Sequence, residues 1–479
     1  MIMREALTYS DVLLVPQYSD IESRRNVSTH TRLSRRLNLH IPIVSSNMDT
    51  VTESAMATRM AELGGIGIIH RFLTIEQQVR EVAKVKRSHN FVIQDPYTIQ
   101  VNSSLGDVRE AMYQRGVTSF LVVDAENRLC GIVSPRDMMF EDNPETLLTQ
   151  IMTPFEKMIC KQTSSAQEMD YEQARQLLKA HKLEKLPLID TDRKITGLIT
   201  AKDIQKRLEF PHAIKDHQGR LLVGAAIGVK NDYLERTQEL VKAGVDVLVI
   251  DIAHGHFKYL LETLETIKAD FPQVDIIAGN VATAAGTRDL IAAGADAIKV
   301  GVGPGSTCST RIVTGSGVPQ LTAVMDCVEA AREKDIPIIA DGGVRYSGDM
   351  VKALAAGASS VMLGGLLGGC EESPGLTRIK DGQKVKIYRG MASYDAARNR
   401  QQSEKGYQVD LDSYVPEGIE TVIPYKGEVR EIIGQLMGGL RSGMSYIGAH
   451  SLPEMVEKAE FVRISPAGWH ESTPHAQYK

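Results

Sequence analysis

The stretch from Gly301 to Arg311 combines residue types that could carry out nucleophilic chemistry. It reads Gly-Val-Gly-Pro-Gly-Ser-Thr-Cys-Ser-Thr-Arg, so alternate glycines follow an apolar run and lead to Cys308. Glycine permits positive φ and close approach, so freed carbonyls could hold a cation, while amides and the Ser306 hydroxyl could hold a phosphate. Amide dipoles and a nearby arginine would favour the cysteine thiolate. The stretch predicts a nucleophile loop, with a small core cysteine as the alternative.

Eight short apolar runs must position this loop. They are Ile41–Ser46, Gly65–His70, Leu221–Gly228, Val245–Asp251, Val274–Asn280, Ala295–Gly301, Ile336–Gly343 and Ser359–Gly364. Continuous rather than alternating apolar strands indicate a parallel sheet that helices cover on both faces. Asn47, Asp49, Asp251, Asn280 and Asp341 fall at the ends of runs, where such barrels place their chemistry. The pattern predicts an α/β fold, a (β/α)8 TIM barrel, with a doubly wound open sheet as the alternative.

Residues 93–210 are too long for one connection between the second and third strands, and they carry an internal repeat. Leu121–Asp124 followed by Gly131–Asp137 matches Pro187–Asp190 followed by Gly197–Asp203. Each half reads as strand, turn, strand and a Ser/Thr-x-x-Asp helix start. Two such copies usually pack together to complete a core. We therefore predict a first barrel part at 1–92, an inserted module at 93–210 and a second barrel part at 211–479.

Composition excludes several classes of protein. A net charge of -5 over 479 residues argues against a general nucleic-acid surface. Apolar runs shorter than the roughly 18 residues of a membrane span, and an N-terminus without signal-peptide order, predict a protein that neither crosses membranes nor is secreted. Five scattered cysteines form neither a disulfide framework nor a metal spacing. A cytoplasmic location is expected.

Besides this loop, seven other short motifs are distributed along most of the chain. They are Asp11–Pro16, Met48–Val51, Gly64–His70, Asp251–His256, Ala278–Asn280, Ala340–Gly343 and Tyr388–Met391. In this order, and with the Gly301–Arg311 loop, they resemble the IMP dehydrogenase/GMP reductase family. The repeat at 93–210 resembles a tandem pair of CBS domains, which implies a TIM barrel with an inserted CBS-domain pair.

The resemblance implies roles for individual residues. Cys308 would attack the second carbon of a purine nucleotide to give a covalent thioimidate, with Thr310 and Glu417 relaying a proton. Asp251 and Asn280 would lie beside the nicotinamide. The residues expected to bind the GMP or IMP substrate are Ser46, Ser306, Asp341, Gly343, Gly364, Gly365, Tyr388, Gly390 and Met391.

The resemblance also implies a monovalent cation, K⁺, held by backbone carbonyls of Gly303, Gly305 and Cys308. Asp137 and Asp203 would reach the ribose of a purine nucleotide bound to the CBS pair, although both could simply cap helices. A homotetramer, with an octamer as a further assembly, is expected.

The two activities of the family differ in one mobile flap, between Met391 and Val415. Dehydrogenases carry there an Arg-Tyr pair whose arginine activates water, whereas this chain has Lys405-Gly406-Tyr407. Asn47 before Met48, and the final glycine of the Met362–Gly365 motif, resemble reductases. The stretch 415–419 and the CBS pair resemble bacterial dehydrogenases, but a larger class of GMP reductases also keeps CBS domains, and the chain resembles that class most. We predict an NADPH-dependent GMP reductase that forms IMP and ammonia; the alternatives are an NAD-dependent IMP dehydrogenase and a catalytically silent nucleotide sensor.

Overall fold

Eight parallel strands close into a barrel in the computed structural model, which describes residues 3–88, 92–93, 95–163, 169–403, 410 and 413–474. They are β1 (Ile43–Ser45), β2 (Ile66–Ile69), β3 (Gly224–Ile227), β4 (Val247–Asp251), β5 (Asp275–Val281), β6 (Ala297–Val300), β7 (Ile338–Asp341) and β8 (Ser360–Leu363). Strand β8 pairs with β1, which closes the ring. All eight predicted strands form, and the predicted (β/α)8 barrel is confirmed.

A helix follows each barrel strand. They are α1 (Ser54–Glu62), α2 (Ile75–Arg87), α3 (Tyr233–Lys242), α4 (Lys258–Asp270), α5 (Ala284–Ala292), α6 (Gln320–Arg332), α7 (Ser347–Ala355) and α8 (Val429–Ile447). Every residue of β1, β2, β3 and β6 is buried, because side chains fill the barrel on one face and helices cover the other. This double burial explains why the strands read as continuous apolar runs.

Shorter elements surround the barrel. Near the N-terminus lie the 3-10 turns Tyr9–Asp11 and Arg24–Asn26 and the paired strands Thr31–Arg32 and Asn38–Leu39. Val12–Leu14 pairs antiparallel with Phe461–Arg463, which ties the two ends of the chain together. The remaining helices are Thr310–Thr314, Leu452–Lys458 and Pro466–Glu471.

The connection between β8 and α8 forms a separate antiparallel sheet. Its strands are Thr377–Lys380, Gln383–Arg389 and Glu420–Pro424, with Gln383–Arg389 in the centre. The helix Tyr394–Ser403 leaves the end of that central strand. This sheet carries Tyr388 and brings residues 417–419 back towards the barrel.

Residues 89–211 form a second compact unit with two similar halves. The first contains Thr98–Gln100, Leu105–Arg115, Phe120–Val123, Leu129–Val133, Leu148–Ile151, Thr153–Pro154 and Phe155–Lys157; the second contains Lys161–Gln162, Tyr171–His181, Lys185–Ile189, Ile195–Thr200 and Ala201–Glu209. Each half has its own apolar core, and Leu121, Leu129 and Ile189 form a smaller cluster shared by both. Each half is thus built around a core of its own, and the smaller cluster joins the two halves.

The two Ser/Thr-x-x-Asp segments differ in backbone structure. Thr200 caps the helix Ala201–Glu209 and accepts a bond from the Asp203 amide. Residues 135–140 after Ser134 form turns rather than the predicted helix. The Asp137 carboxylate accepts bonds from the Ser134 amide at 2.7 Å and from the Thr153 hydroxyl at 3.0 Å. Both aspartates thus have local structural partners. No helix of the described residues is long and apolar enough to cross a membrane.

Candidate active site

The glycine-rich loop begins where β6 ends. Gly301 has a φ of +152°, and a Cβ there would lie 2.1 Å from the carbonyl oxygen of Asp341, so only glycine fits this close approach to β7. The loop then turns outwards, and Cys308 is exposed at its far end. An exposed cysteine beside a barrel mouth is accessible to a substrate, as a nucleophile requires.

Cys308 begins a short hydrogen-bonded chain. Its thiol donates to Thr310 Oγ1 at 3.2 Å, and the Thr310 hydroxyl donates to Glu417 Oε2 at 2.8 Å. The backbone holds this geometry, because the Ser309 amide donates to the Glu417 carbonyl at 2.9 Å and Ile419 donates to Thr307 at 3.0 Å. The structure thus brings together all three residues that the sequence assigned to catalysis.

A cavity of about 630 Å³ opens beside this loop. Of the residues expected to bind the substrate, those that line it are Ser46, Ser306, Asp341, Gly343, Gly364, Gly365 and Tyr388. Ser306 Oγ and Tyr388 OH lie 3.3 Å apart. A Cβ on Gly364 would lie 2.9 Å from Tyr388 OH, so glycine leaves the backbone open to a ligand there. Hydroxyls and exposed backbone around one cavity suit a phosphate.

Gly390 and Met391, the other two residues expected to bind the substrate, are not among the residues that line this cavity and instead bond to nearby segments of the chain. Gly390 donates its amide to the Ile419 carbonyl at 3.0 Å, and the Met391 sulfur accepts from the Asp49 amide at 3.3 Å. Arg389 forms an ion pair with Asp49, which fixes the start of the flap to the loop after β1. This ion pair was not predicted, since its partners are 340 residues apart.

Lys299 links the ends of four barrel strands. It lies on β6, is 1% exposed, and its Nζ lies 2.7 Å from Asp251 Oδ1 and 2.7 Å from Asp341 Oδ2. It also donates to Asn280 Oδ1, while Asn280 Nδ2 donates to Asp341 Oδ2 at 2.9 Å. Asn47 completes the cluster with a 2.8 Å bond to Asp251 Oδ2. The predicted cofactor residues and the predicted ribose ligand therefore share one buried ammonium.

Charge pairing sets the protonation of this cluster. Burial alone would lower the pKa of Lys299, but Asp251 and Asp341 raise it well above its ordinary value. Burial opposes ionisation of Asp251 as well, yet Lys299 and then Asn47 hold the pKa of its carboxyl below the usual range. Both groups are charged at neutral pH. Lys299 was not predicted as a site residue, although a lysine inside an otherwise apolar strand is a signal that a buried countercharge is required.

The expected monovalent cation would bind to backbone carbonyls of the loop that leads to Cys308. Gly303 has a φ of +84°, and the Gly305 carbonyl accepts the Cys308 amide at 3.1 Å, which leaves it a second lone pair. Neutral carbonyl oxygens are ligands that suit K⁺. The donor set therefore fits a monovalent cation.

The other singled-out residues have structural partners or lie elsewhere. His256 pairs with Asp289 at 2.7 Å. Cys327 and Cys370 are buried, Cys130 and Cys160 are partly buried, and burial raises the pKa of Cys327 to about 11 and of Cys370 to about 12. Cys160 and Cys370 lie outside helices and strands. Asp137 and Asp203 belong to the unit at 89–211. Lys405, Gly406 and Tyr407 of the flap lie outside the described residues.

Named relatives match the whole chain. An inosine-5'-monophosphate dehydrogenase from Nitrosopumilus maritimus is 52% identical over 479 residues, which cover 99% of both chains. A protein of the same name from Aquifex aeolicus is 52% identical, covering 99% of this chain and 96% of its own, and one from Bacillus subtilis is 48% identical, covering 98% and 96%.

Solved structures of a GMP reductase from Trypanosoma brucei are also similar. A cysteine-to-alanine variant in complex with guanosine 5'-monophosphate has a TM-score of 0.93 and 44% identity, covering 99% of both chains. The same reductase with guanosine 5'-triphosphate has a TM-score of 0.83 and 40% identity, covering 97% of this chain and 98% of its own.

These identities correct the predicted activity. Relatives named dehydrogenase are 48–52% identical over the full chain, above the 40–44% of the reductase structures. The prediction of an NADPH-dependent GMP reductase is therefore wrong. It gave too much weight to one missing Arg-Tyr pair, although a carboxylate relay can also accept a proton from water. The protein-family model described as IMP dehydrogenase / GMP reductase domain matches residues 6–475, and the chain belongs to this family.

Proposed function

We propose that this protein is an IMP dehydrogenase that converts IMP, NAD⁺ and water to XMP, NADH and a proton. The observation that carries the proposal is the identity of 48–52%, over nearly the full chain, to proteins named inosine-5'-monophosphate dehydrogenase. The exposed thiol, the neighbouring cavity of about 630 Å³ and the buried charge cluster supply the groups that this reaction requires.

Cys308 supplies the nucleophile. Its thiolate adds to the second carbon of the purine, which is positioned by the nucleotide's phosphate in the cavity and by its ribose hydroxyls at Asp341. The Asp341 carboxyl group suits that task, since Oδ2 accepts bonds from Lys299 and Asn280 and Oδ1 keeps its lone pairs for the ribose hydroxyls. Covalent attack divides one difficult substitution into two steps.

The cofactor side is formed by Asp251 and Asn280. The Asp251 side chain is 24% exposed, and each of its oxygens accepts one bond within the cluster and keeps further lone pairs. These polar groups fit the carboxamide and ribose of a nicotinamide nucleotide. Bound NAD would supply the acceptor for the hydride that leaves the second carbon.

Thr310 and Glu417 activate water in the second step. Water attacks the thioimidate carbon, its proton passes to Thr310 Oγ1, and the Thr310 proton passes to Glu417 along the existing 2.8 Å bond. The carbon–sulfur bond then breaks, which releases XMP and restores the Cys308 thiolate. This route needs no arginine in the flap. Carbonyls of Gly303, Gly305 and Cys308 would hold K⁺ and so stabilise the loop.

The unit at 89–211 is proposed to regulate the enzyme by binding a purine nucleotide near Asp137 and Asp203. Its two similar halves support this proposal. Titration calorimetry of the full chain with ATP or GTP tests it. Asp203→Asn should weaken binding while leaving IMP turnover without effector unchanged; equal binding by the wild type and this variant would contradict the role.

Cofactor absorbance tests the main proposal. In potassium buffer, IMP with NAD should generate reduced cofactor, and GMP with NADPH should consume none. Consumption of NADPH with GMP, and no NADH from IMP, would overturn it. Binding of both nucleotides without turnover in either direction would instead favour the silent sensor.

A further inference from the structure

Unpaired polar groups concentrate at one cavity. Among the described residues, six buried side-chain oxygen or nitrogen atoms have no hydrogen-bond partner, and three of them belong to residues that line the cavity beside Cys308. These three are Tyr9 OH, Ser46 Oγ and Gln320 Oε1. A buried polar group without a partner costs free energy, so such a cluster indicates that a ligand completes the bonding.

The three atoms differ in what they can bind. Ser46 is already among the residues expected to bind the substrate. Gln320 donates its amide to Val300 at 2.8 Å and to the Asp341 carbonyl at 3.1 Å, so its remaining oxygen is an acceptor and cannot bind an anion. Tyr9 offers a hydroxyl hydrogen. It is therefore the unassigned donor of the three.

The backbone and ring of Tyr9 are held in place. The side chain is 2% exposed, and the Lys352 ammonium donates to the Tyr9 carbonyl at 2.8 Å. Thr8 and Asp11 form a capping box at the start of the 3-10 turn Tyr9–Asp11, in which the Thr8 amide donates to the Asp11 carboxylate at 2.7 Å. Little conformational entropy would be lost when this hydroxyl meets a ligand.

The ring lies against the turn expected to bind phosphate. A Cβ on Gly343 would lie 3.3 Å from Tyr9 Cε2, the ring carbon next to the hydroxyl-bearing carbon. Burial, and then Asp349 and Asp341, raise the pKa of Tyr9 far above its ordinary value, so the hydroxyl stays protonated as a donor. Tyr388 and Ser306 lie on the same cavity and also carry hydroxyls.

We propose that Tyr9 is a substrate-binding residue whose hydroxyl donates a hydrogen bond to the 5'-phosphate of the bound purine nucleotide. The N-terminal segment thereby completes the phosphate site that the barrel loops begin. The inference deepens the proposed function, because it concerns the same site, but it requires only that a purine monophosphate binds there.

Tyr9→Phe removes this one hydroxyl and keeps the ring. IMP affinity, measured by titration calorimetry, should fall about tenfold, since hydrogen bonds to charged groups are among the stronger ones. Inosine, which lacks the phosphate, should bind equally well to both proteins. Without ligand, the melting temperature should stay the same or rise, because an unpaired buried hydroxyl is lost. Tyr346→Phe, an exposed tyrosine outside the cavity, is the matched control.

Other outcomes would separate the role of Tyr9 in phosphate binding from a structural role and from the proposed function. Unchanged IMP affinity, or an equal loss for inosine, would overturn the role in phosphate binding. A lower melting temperature without ligand, together with weaker binding, would show that the hydroxyl is structural. Wild-type protein that binds IMP without oxidising it would contradict the proposed function but leave this inference standing. Normal turnover and normal IMP affinity in Tyr9→Phe would do the reverse.

Discussion

Lys299 and Asp341 form a buried ion pair in which Nζ and Oδ2 lie 2.7 Å apart. The pair connects β6, the strand that precedes the cysteine loop, to the end of β7, where Asp341, the proposed ribose ligand, lies. The same ammonium also donates to Asp251 on β4. Lys299 therefore orients both Asp341, the proposed substrate ligand, and Asp251, the proposed cofactor ligand.

Replacement of this lysine should affect both stability and binding. Lys299→Met leaves the partly buried carboxylates of Asp251 and Asp341 facing each other without their buried countercharge, so the free energy of unfolding should fall, by roughly 3 kcal/mol. The KM for IMP should rise as well. Denaturant unfolding and steady-state kinetics measure the two effects.

Lys242→Met provides the control for this change. Lys242 pairs with Glu239 at 2.6 Å, but its side chain is 60% exposed, so the loss should be below about 1 kcal/mol. Equal effects of the two replacements would contradict the role of the buried cluster.

Cys308→Ala should abolish turnover and leave IMP binding nearly unchanged, because the thiol is required for bond formation and not for the phosphate contacts. Intact-protein mass spectrometry after quenching should find a nucleotide adduct on the wild type and none on the variant. Cys130→Ala, a change in the separate unit at 89–211, is the control. Activity near the wild-type level in Cys308→Ala would refute the mechanism.

Glu417→Gln should separate the two chemical steps. Its amide cannot accept the proton that Thr310 passes on, so hydrolysis should slow by about 10²–10⁴-fold while hydride transfer continues. Rapid mixing with IMP and NAD should then give one enzyme equivalent of NADH quickly, followed by a slow steady state. If the initial burst is lost along with the steady-state rate, Glu417 acts before hydrolysis instead.

Alkylation should distinguish the five cysteines, all of which lie in the described part of the chain. Iodoacetamide at neutral pH should modify Cys308, which is exposed, much faster than Cys327 and Cys370. Burial raises the pKa of these two thiols to about 11 and about 12, so almost no thiolate forms there. IMP should protect Cys308. Peptide mass spectrometry gives the order of labelling, and faster labelling of either buried cysteine would contradict the structure.

Acid should weaken the charge cluster. Lys299 holds the pKa of Asp251 below its unfolded value despite burial, so Asp251 adds stability above the unfolded pKa. That stability is lost as the pH falls through the folded pKa. Melting temperature should therefore decline with acidification more steeply in the wild type than in Asp251→Asn. Parallel curves would show that Asp251 contributes nothing to the acid transition.

The barrel fold and the nucleophile loop at Gly301–Arg311 could both be predicted from the sequence alone. Doubly buried strands require continuous apolar runs, so eight such runs defined the barrel before any contact was known. The alternate glycines before Cys308 marked a backbone that must approach another closely, and the Gly301–Asp341 contact confirms this need. These signals are local, since each depends on residues near one another in the chain.

The tertiary structure decided which side chains meet. Lys299 reaches Asp251 across 48 residues and Asp341 across 42, because barrel closure sets the neighbours at the strand ends. Nothing in the apolar spacing around Tyr9 indicated that this residue would line the cavity or that its hydroxyl would lack a partner. Local sequence patterns determine which segments form strands and helices. The partners of buried polar groups depend instead on strand register and on the paths of the loops, which only the folded chain specifies.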